Sequence, residues 1–336
     1  MNATATAEQR AGVEPEPRHV DQRAAKKRML IIVNPYATTV SDRLKSLVVY
    51  ALQGRFEVEA VTTEAQNHAT EIGREAVNGG YDIVVAFGGD GTLNEVANGL
   101  AGTDIPVSVL PGGSTNVVCR TLGIPNDVVD ATEHLLGCAD RFEPRSIDLG
   151  TANGRRFVFA CGAGLDATAA QQVDSHPKMK RRLGPYYYTW AAIRGFYGKY
   201  LRDPVMMSAE TAAGSSEGVT AICQNSDPYS YFRGRRLHVC EGVSIDSGTL
   251  SLAVLRRAAQ RDVPFIAARI LGASSTAGDH RHIDHYEDLQ EARIESLSRN
   301  QEGGWRGFPV EVDGDYIGEH TELELGIERG ALRVIA

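Results

Sequence analysis

The 336-residue chain has little cysteine: Cys119, Cys138, Cys161, Cys223 and Cys240, with no C-x-x-C pair among them. An odd, scattered set supports neither a disulfide framework nor a zinc site, so reduced thiols are expected. No run approaches the ~18 consecutive apolar residues of a membrane-spanning helix, and the N-terminus lacks the apolar core of a signal peptide. The expected location is therefore the cytoplasm. Surplus positive charge is missing too, with 35 Lys and Arg against 43 Asp and Glu and a formal net charge of −8. That disfavours a nucleic-acid partner engaged through overall charge, because phosphate neutralisation needs an excess of cations. Repeats of ~20 to 50 residues are also absent.

Residues 1–28 hold almost no large apolar side chain, so this stretch cannot offset its ordering entropy and reads as a flexible tail. From Met29 the text changes. Met29 to Val33 is a continuous apolar run ending at Asn34-Pro35, a buried strand followed by a turn. Ser41 to Leu52 has helical patterning and Phe56 to Val61 is strand-like. Asn67 stands where it can cap a helix with apolar positions Ala69, Ile72, Gly73, Ala76 and Val77. Ile83 to Phe87 and Pro106 to Leu110 are further strands, each followed by a glycine-rich turn. Strands alternating with helices at this spacing predict a doubly wound parallel sheet over roughly residues 29–140.

Beyond about Arg145 the pattern predicts a β-rich second domain, with short strands at Arg156–Cys161, Gly218–Gln224, Arg236–Val239, Thr249–Leu255, Ala292–Ser296 and Val310–Val312. The aromatic stretch Pro185 to Tyr200 reads as a helix. It follows Lys178, Lys180, Arg181 and Arg182, a basic-aromatic combination suited to a lipid interface, while aromatics at helical spacing also fill cores. His280, His282 and His285 match no metal-binding spacing and read as solvated loop histidines.

Chemistry is most legible at Gly88-Gly89-Asp90-Gly91, which lies between a strand and a helix where parallel sheets bind ligands. Glycines let backbone amides approach an anion, and the following helix offers its N-terminus. Thr92 and Glu95 have capping-box spacing, and Leu93, Val96, Ala97 and Leu100 form that helix's buried stripe. A lone carboxylate beside phosphate-suited glycines makes sense next to Mg²⁺ or as a proton acceptor, which singles out Asp90. A second loop, Pro111-Gly112-Gly113-Ser114-Thr115-Asn116, supplies another glycine pair with hydroxyls and an amide. Neither loop is a Walker P-loop or a dinucleotide fingerprint.

Val33-Asn34-Pro35, Gly88 through Glu95, Pro111 through Asn116 and Asp313-Gly314-Asp315, in that order, resemble the diacylglycerol kinase catalytic family, which includes bacterial soluble lipid kinases and sphingosine kinases. The G-G-D-G-T core is shared with NAD kinases. Gly162 through Ala167 is similar to the family's G-x-D-A segment, and Ser247-Gly248-Thr249-Leu250 stands in the place of D-G-x-L. The resemblance implies a nucleotide-binding α/β domain (residues 29–145 plus 326–336) and a lipid-binding β-sandwich domain (residues 146–325), with ATP between them. It further implies that Asn34 and Thr63 line the nucleotide site, that Gly88, Gly89, Asp90, Gly91, Thr92, Asn94 and Glu95 cradle its phosphates, and that Gly113, Ser114 and Asn116 meet it from the second loop. Asp90 would help hold catalytic Mg²⁺. Asp315 takes the place of the family's glutamate base and would deprotonate the lipid hydroxyl. A structural Mg²⁺ would fall near Ser244, Ser247 and Thr249, with Ser247 replacing an aspartate. The implied partner is a lipid at the membrane surface, reached by peripheral association with its inner face, with a homodimer also open. An NAD kinase-like enzyme or a sensing homologue that has lost turnover are the alternatives.

Overall fold

The computed structural model describes residues 26–37, 40–176, 179, 183, 185–270 and 277–336. Its first half runs β1 (Lys27–Val33), α1 (Asp42–Leu52), β2 (Phe56–Thr62), α2 (His68–Asn78), β3 (Ile83–Gly88), α3 (Asp90–Leu100), β4 (Val107–Pro111), α4 (Val117–Thr121) and α5 (Val128–Arg141). The strands pair in parallel in the order β2-β1-β3-β4. Every residue of β3 is buried, as a strand covered by helices on both faces requires. Leu93, Val96, Ala97 and Leu100 all lie in the same core, so the predicted stripe of α3 is present. Each such fully buried Leu or Val side chain contributes about 1.5–3 kcal/mol of transfer free energy.

The second half continues with β5 (Arg145–Ala152), β6 (Arg155–Phe157), β7 (Ala160–Ala163), α6 (Leu165–Asp174), α7 (Pro185–Gly195), a π-helical turn Phe196–Tyr200, β8 (Met207–Thr211), β9 (Gly214–Gly218) and β10 (Thr220–Gln224). After these come β11 (Ser230–Phe232), β12 (Arg235–Leu237), β13 (Leu250–Leu255), α8 (Val263–Ile270), β14 (Ile283–Leu289), β15 (Glu291–Ser296), β16 (Phe308–Val312), β17 (Asp315–His320) and β18 (Glu322–Val334). A six-stranded sheet has the order β14-β13-β10-β7-β16-β17, and its pairings are antiparallel. The fold is thus α/β with a parallel sheet first and antiparallel sheets after it.

The two halves are not separate sheets. β18 pairs antiparallel with β15 and β5 and, at Val334 opposite Val107, parallel with β4. This 13-residue strand carries one sheet from the parallel half into the antiparallel half.

Several local expectations change. The first strand begins at Lys27, so Lys27 and Arg28 belong to the sheet rather than to a tail, and Arg28 bonds Asp82 and Gly79 across it. Residues 1–25 lie outside the described residues, as do Lys178, Lys180, Arg181 and Arg182 of the basic run. Val77 of α2 is 41% exposed, off the buried face formed by Ala69, Ile72, Gly73 and Ala76. The predicted strand Arg156–Cys161 is broken at Val158 and Phe159, for a reason found in the site. Of the three histidines His285 lies in strand β14, while His280, which precedes it, is buried with its ring edge-to-face against His282 and near Asp262.

Candidate active site

Four loops meet at the carboxyl ends of β1 to β4 and are stitched together by backbone bonds. Thr63 N–H donates to Val33 O at 2.9 Å, Asn34 N–H to Phe87 O at 3.0 Å, and Gly112 N–H to Gly88 O at 2.7 Å. Asn34 then reaches sideways: its Nδ2 donates to Thr92 Oγ1 at 3.0 Å while its Oδ1 accepts from Tyr36 N–H. Asn34, Thr63 and Thr92 therefore share one corner of the sheet.

The glycines of the opening motif are needed for contacts inside the protein. A Cβ on Gly88 would lie 2.4 Å from Thr92 Oγ1, and one on Gly113 would lie 2.9 Å from the Gly89 Cα. The two glycine loops thus touch backbone to backbone. A Cβ on Gly91 would lie 2.5 Å from Asp315 Oδ2, so this glycine admits a carboxylate from 224 residues later in the chain. The helix begins at Asp90, one turn earlier than a Thr92 cap would allow, with Gly89 at the cap and no side-chain capping bond. The Thr92–Glu95 capping box is therefore not formed. Glu95 instead caps the neighbouring helix, accepting from Asn67 N–H at 2.9 Å and Ala69 N–H at 3.0 Å. Asn67, in the left-handed region at φ 65°, makes no side-chain cap of its own.

Asp90 clamps the loops. One carboxylate oxygen accepts from Val117 N–H at 3.0 Å and the other from Val118 N–H at 3.2 Å, at the start of α4. Burial pushes its carboxyl above the usual range, while the amides of Val117, Val118 and Asn116 and the charge of Arg120 pull it back. Asn116, at φ 49°, closes the second loop on itself through Gly113 N–H and O and reaches Asn126. Ser114 is exposed at the tip of that loop.

Asp313-Gly314 is a two-residue hairpin between β16 and β17, since Val312 faces Asp315. Both turn residues have positive φ, +49° and +85°, the combination that closes two-residue hairpins. Asp313 Oδ2 accepts from Val158 N–H and Asn94 Nδ2, both at 2.7 Å, and Oδ1 from Phe159 N–H at 2.9 Å and Ala160 N–H at 3.2 Å. The amides of Val158 and Phe159 are drawn out of a strand ladder, which is why the expected strand splits into β6 and β7. Burial pushes Asp313 up to about 6, and the four donors hold it no higher, so it is ionised at neutral pH. Asn94, 1% exposed, ties the glycine-loop helix to this hairpin. Sequence reasoning singled out Asp315 and passed over Asp313. The signal available was the D-G pair itself, a hairpin dipeptide followed by a strand.

Ser244, Ser247 and Thr249 come together in one loop, but their hydroxyls serve one another. Ser247 Oγ donates to Ser244 O at 2.9 Å, Thr249 Oγ1 donates to Ser247 Oγ at 3.3 Å, and Ser244 Oγ donates to Asp246 at 2.8 Å. None of the three brings the carboxylate that Mg²⁺ favours, so they do not fit a structural Mg²⁺ site. Asp262, His280 and His282 hold ligand-type atoms within 4.8 Å of one another. Arg257 lies 3.7 Å from Asp262, and His282 Nδ1 is hydrogen-bonded to the same carboxylate, which makes this an ion-pair cluster already.

A family model described as the diacylglycerol kinase catalytic domain matches residues 28–170. The chain is 26% identical over 324 residues to a diacylglycerol kinase of Bacillus subtilis (strain 168), covering 89% of this chain and 96% of that protein. It is 33% identical over 316 residues to a diacylglycerol kinase of Staphylococcus aureus (strain bovine RF122 / ET3-1), covering 90% and 91%. The crystal structure of a diacylglycerol kinase from Bacillus anthracis str. Sterne has the same fold, with a TM-score of 0.71 to 0.67 among solved chains of that organism and, for this one, 0.67 at 21% identity over 93% of this chain and 98% of that one. With a 33%-identical relative matched along nearly its whole length, the chain belongs to the diacylglycerol kinase family.

Proposed function

We propose that this protein is an ATP- and Mg²⁺-dependent lipid kinase acting on the hydroxyl of diacylglycerol or a related lipid. The observation that carries this reading is the contact of Asp315 with Gly91, which puts a carboxylate against the first turn of α3. A base within hydrogen-bond reach of the acceptor hydroxyl, beside a helix N-terminus suited to phosphate, is the pair of groups phosphoryl transfer to an alcohol needs. Asp315 takes the hydroxyl proton. The first-turn amides of Gly91 and Thr92, which have no acceptor within their own helix, donate to phosphate oxygens. Asn34 and exposed Ser114 contribute further donors around the same strand ends, and Thr63, whose N–H and hydroxyl both donate to Val33 O, shapes that corner.

When bound, ATP supplies the phosphoryl group and Mg²⁺ offsets its charge. Asp90 is the carboxylate proposed for the ion. Its oxygens accept the amides of Val117 and Val118, and Mg²⁺ usually keeps several waters, so a water-mediated role fits. Gly88, Gly89, Asn94, Glu95, Gly113 and Asn116 act at one remove by shaping and joining the loops. On this reading residues 27–145 with the end of β18 hold the nucleotide, and residues 146–325 hold the lipid.

Among the described residues no helix is long and apolar enough to cross a membrane. Met179, Leu183, Tyr186, Trp190, Ile193 and Tyr197 are nonetheless exposed, at intervals of three and four residues. Tyr187 and Tyr200 are buried, so the aromatic stretch has a core face and an outer face. The outer face supports peripheral docking on the cytoplasmic side of a bilayer. Tyr188 of the same helix donates to Gly314 O at 3.3 Å, which couples this face to the hairpin bearing Asp315.

The test is transfer from labelled ATP to diacylglycerol, monoacylglycerol, a sphingoid base and NAD. Lipid phosphorylation that drops about 10²–10⁴-fold in Asp315→Ala is expected. Transfer to NAD alone would refute the lipid reading, and ATP binding without transfer to any acceptor would favour a sensing homologue.

A further inference from the structure

Behind the hairpin lie two carboxylates that the transfer step does not use. Glu311 of β16 is 1% exposed. Asp166 stands in the first turn of α6. They converge over Gly162, which pairs with Glu311 across β7 and β16: a Cβ there would meet Glu311 Oε1 at 2.6 Å and Asp166 Oδ2 at 2.7 Å. Their outer bonds are accounted for. Glu311 Oε2 accepts from Gly314 N–H at 2.6 Å, and Asp166 Oδ2, the same oxygen that faces Glu311, accepts from the Tyr229 hydroxyl. Glu311 Oε1, fully buried, has no hydrogen-bond donor among the described residues.

A buried acceptor without a donor, set against a second acceptor, lacks one thing, a hydrogen between them. We propose that Glu311 and Asp166 share a single proton, and that the neutralised Glu311, through Gly314 N–H, fixes the turn that aims Asp315, making Glu311 a positioning residue for phosphoryl transfer. This rests on the lipid-kinase reading for its kinetic consequence but not for the proton itself. Two buried anions converging on one point, with no cation against them among the described residues, would repel, whereas one proton turns the repulsion into a hydrogen bond. Burial, followed by the charge of Asp166, holds Glu311 well above the ordinary carboxylate range, and burial raises Asp166 as well. Gly314 is thereby held on both sides, its N–H by Glu311 and its carbonyl by Tyr188, one residue before Asp315.

Glu311→Gln supplies the missing hydrogen from its amide, while Glu311→Met keeps volume and removes both bonds. Three readouts decide the matter. In the infrared difference between wild type and E311Q without substrates at pH 7, a protonated-carboxyl band is expected in wild type only. With ATP and diacylglycerol vesicles, kcat of E311Q is expected within about threefold of wild type. E311M is expected to lose about 100-fold in kcat, as a base misplaced by ~1 Å does, with the KM for ATP unchanged within about threefold. Thermal melting of each variant confirms that folded protein is compared. No band difference, or a kcat in E311Q as low as in E311M, would overturn the proposal. If wild type phosphorylates no lipid, the kinase reading fails and the infrared result alone judges the shared proton.

Discussion

Asp313→Asn changes one atom and should cost more stability than most surface truncations. The carboxylate accepts four hydrogen bonds, two at each oxygen: Val158 N–H and Asn94 Nδ2 at Oδ2, Phe159 and Ala160 N–H at Oδ1. An asparagine keeps one oxygen, so two of the four donors would face an NH₂ group in a site that is 4% exposed. Each buried donor left without an acceptor costs about 1–3 kcal/mol, giving about 2–6 kcal/mol in all. That is a large share of the ~5–15 kcal/mol that holds a domain folded. At ~2–4 °C per kcal/mol for a large domain, a mid-range loss of about 4 kcal/mol lowers Tm by about 10 °C. Melting followed by circular dichroism at pH 7 measures this, with Asn94→Ala, which takes away one of the four donors together with the Asn94 bonds to Arg156 O and Asn98, as a comparison. Hydrogen exchange adds a local readout, since the amides of Val158, Phe159 and Ala160 should lose protection before the parallel sheet does. A Tm within about 2 °C of wild type, with those amides still protected, would refute the reasoning.

Gly91→Ala should separate stability from turnover, because alanine favours the helix by about 1 kcal/mol while its Cβ displaces Asp315 and lowers kcat about 100-fold. The check is a melting curve beside a lipid-kinase assay. Glu95→Ala should cost about 1–2 kcal/mol by removing the acceptor of the Asn67 and Ala69 amides, and the KM for ATP should move little; urea denaturation and steady-state kinetics measure the two effects. Trp190→Ala should weaken binding to anionic vesicles about tenfold, read by vesicle co-sedimentation, because the residue is 45% exposed on the outer face of α7.

What the sequence made legible is what local pattern determines. The apolar runs of β1 and β3 and the buried stripe of α3 follow from periodicity, and the order of strands and helices fixes the parallel sheet. Contacts between residues far apart in the chain were not legible. Glu95 sits three residues after Thr92, which suggests a capping box, yet its carboxylate serves α2, across the face where the two helices pack. Arg156 to Cys161 has strand composition throughout, and only the carboxylate of Asp313, more than 150 residues away, explains the break at Val158. Glu311 looked like one alternating residue in a strand, because neither its pairing with Asp166 nor its bond to Gly314 can be read from composition. The aromatic stretch was legible as a helix but not in its division between core and surface, since tyrosines occupy both faces.

The motif Gly88-Gly89-Asp90-Gly91 invites the idea that absent side chains leave room for a phosphate. The geometry assigns that room differently. Thr92 fills the space above Gly88, the second glycine loop lies on Gly89, and Asp315 lies on Gly91. What remains for an anion is the amide edge of the helix rather than the missing Cβ volume. The glycines act through the partners they admit: they let two loops meet at backbone distance, let Asp90 cross to the start of α4, and let a carboxylate from the last third of the chain reach the first turn of α3. A larger residue at Gly91 would leave the sheet intact and still separate the amides from Asp315. The glycine loop and the D-G-D hairpin are therefore one unit, assembled by Asn94 and Asp313, and neither is complete without the other.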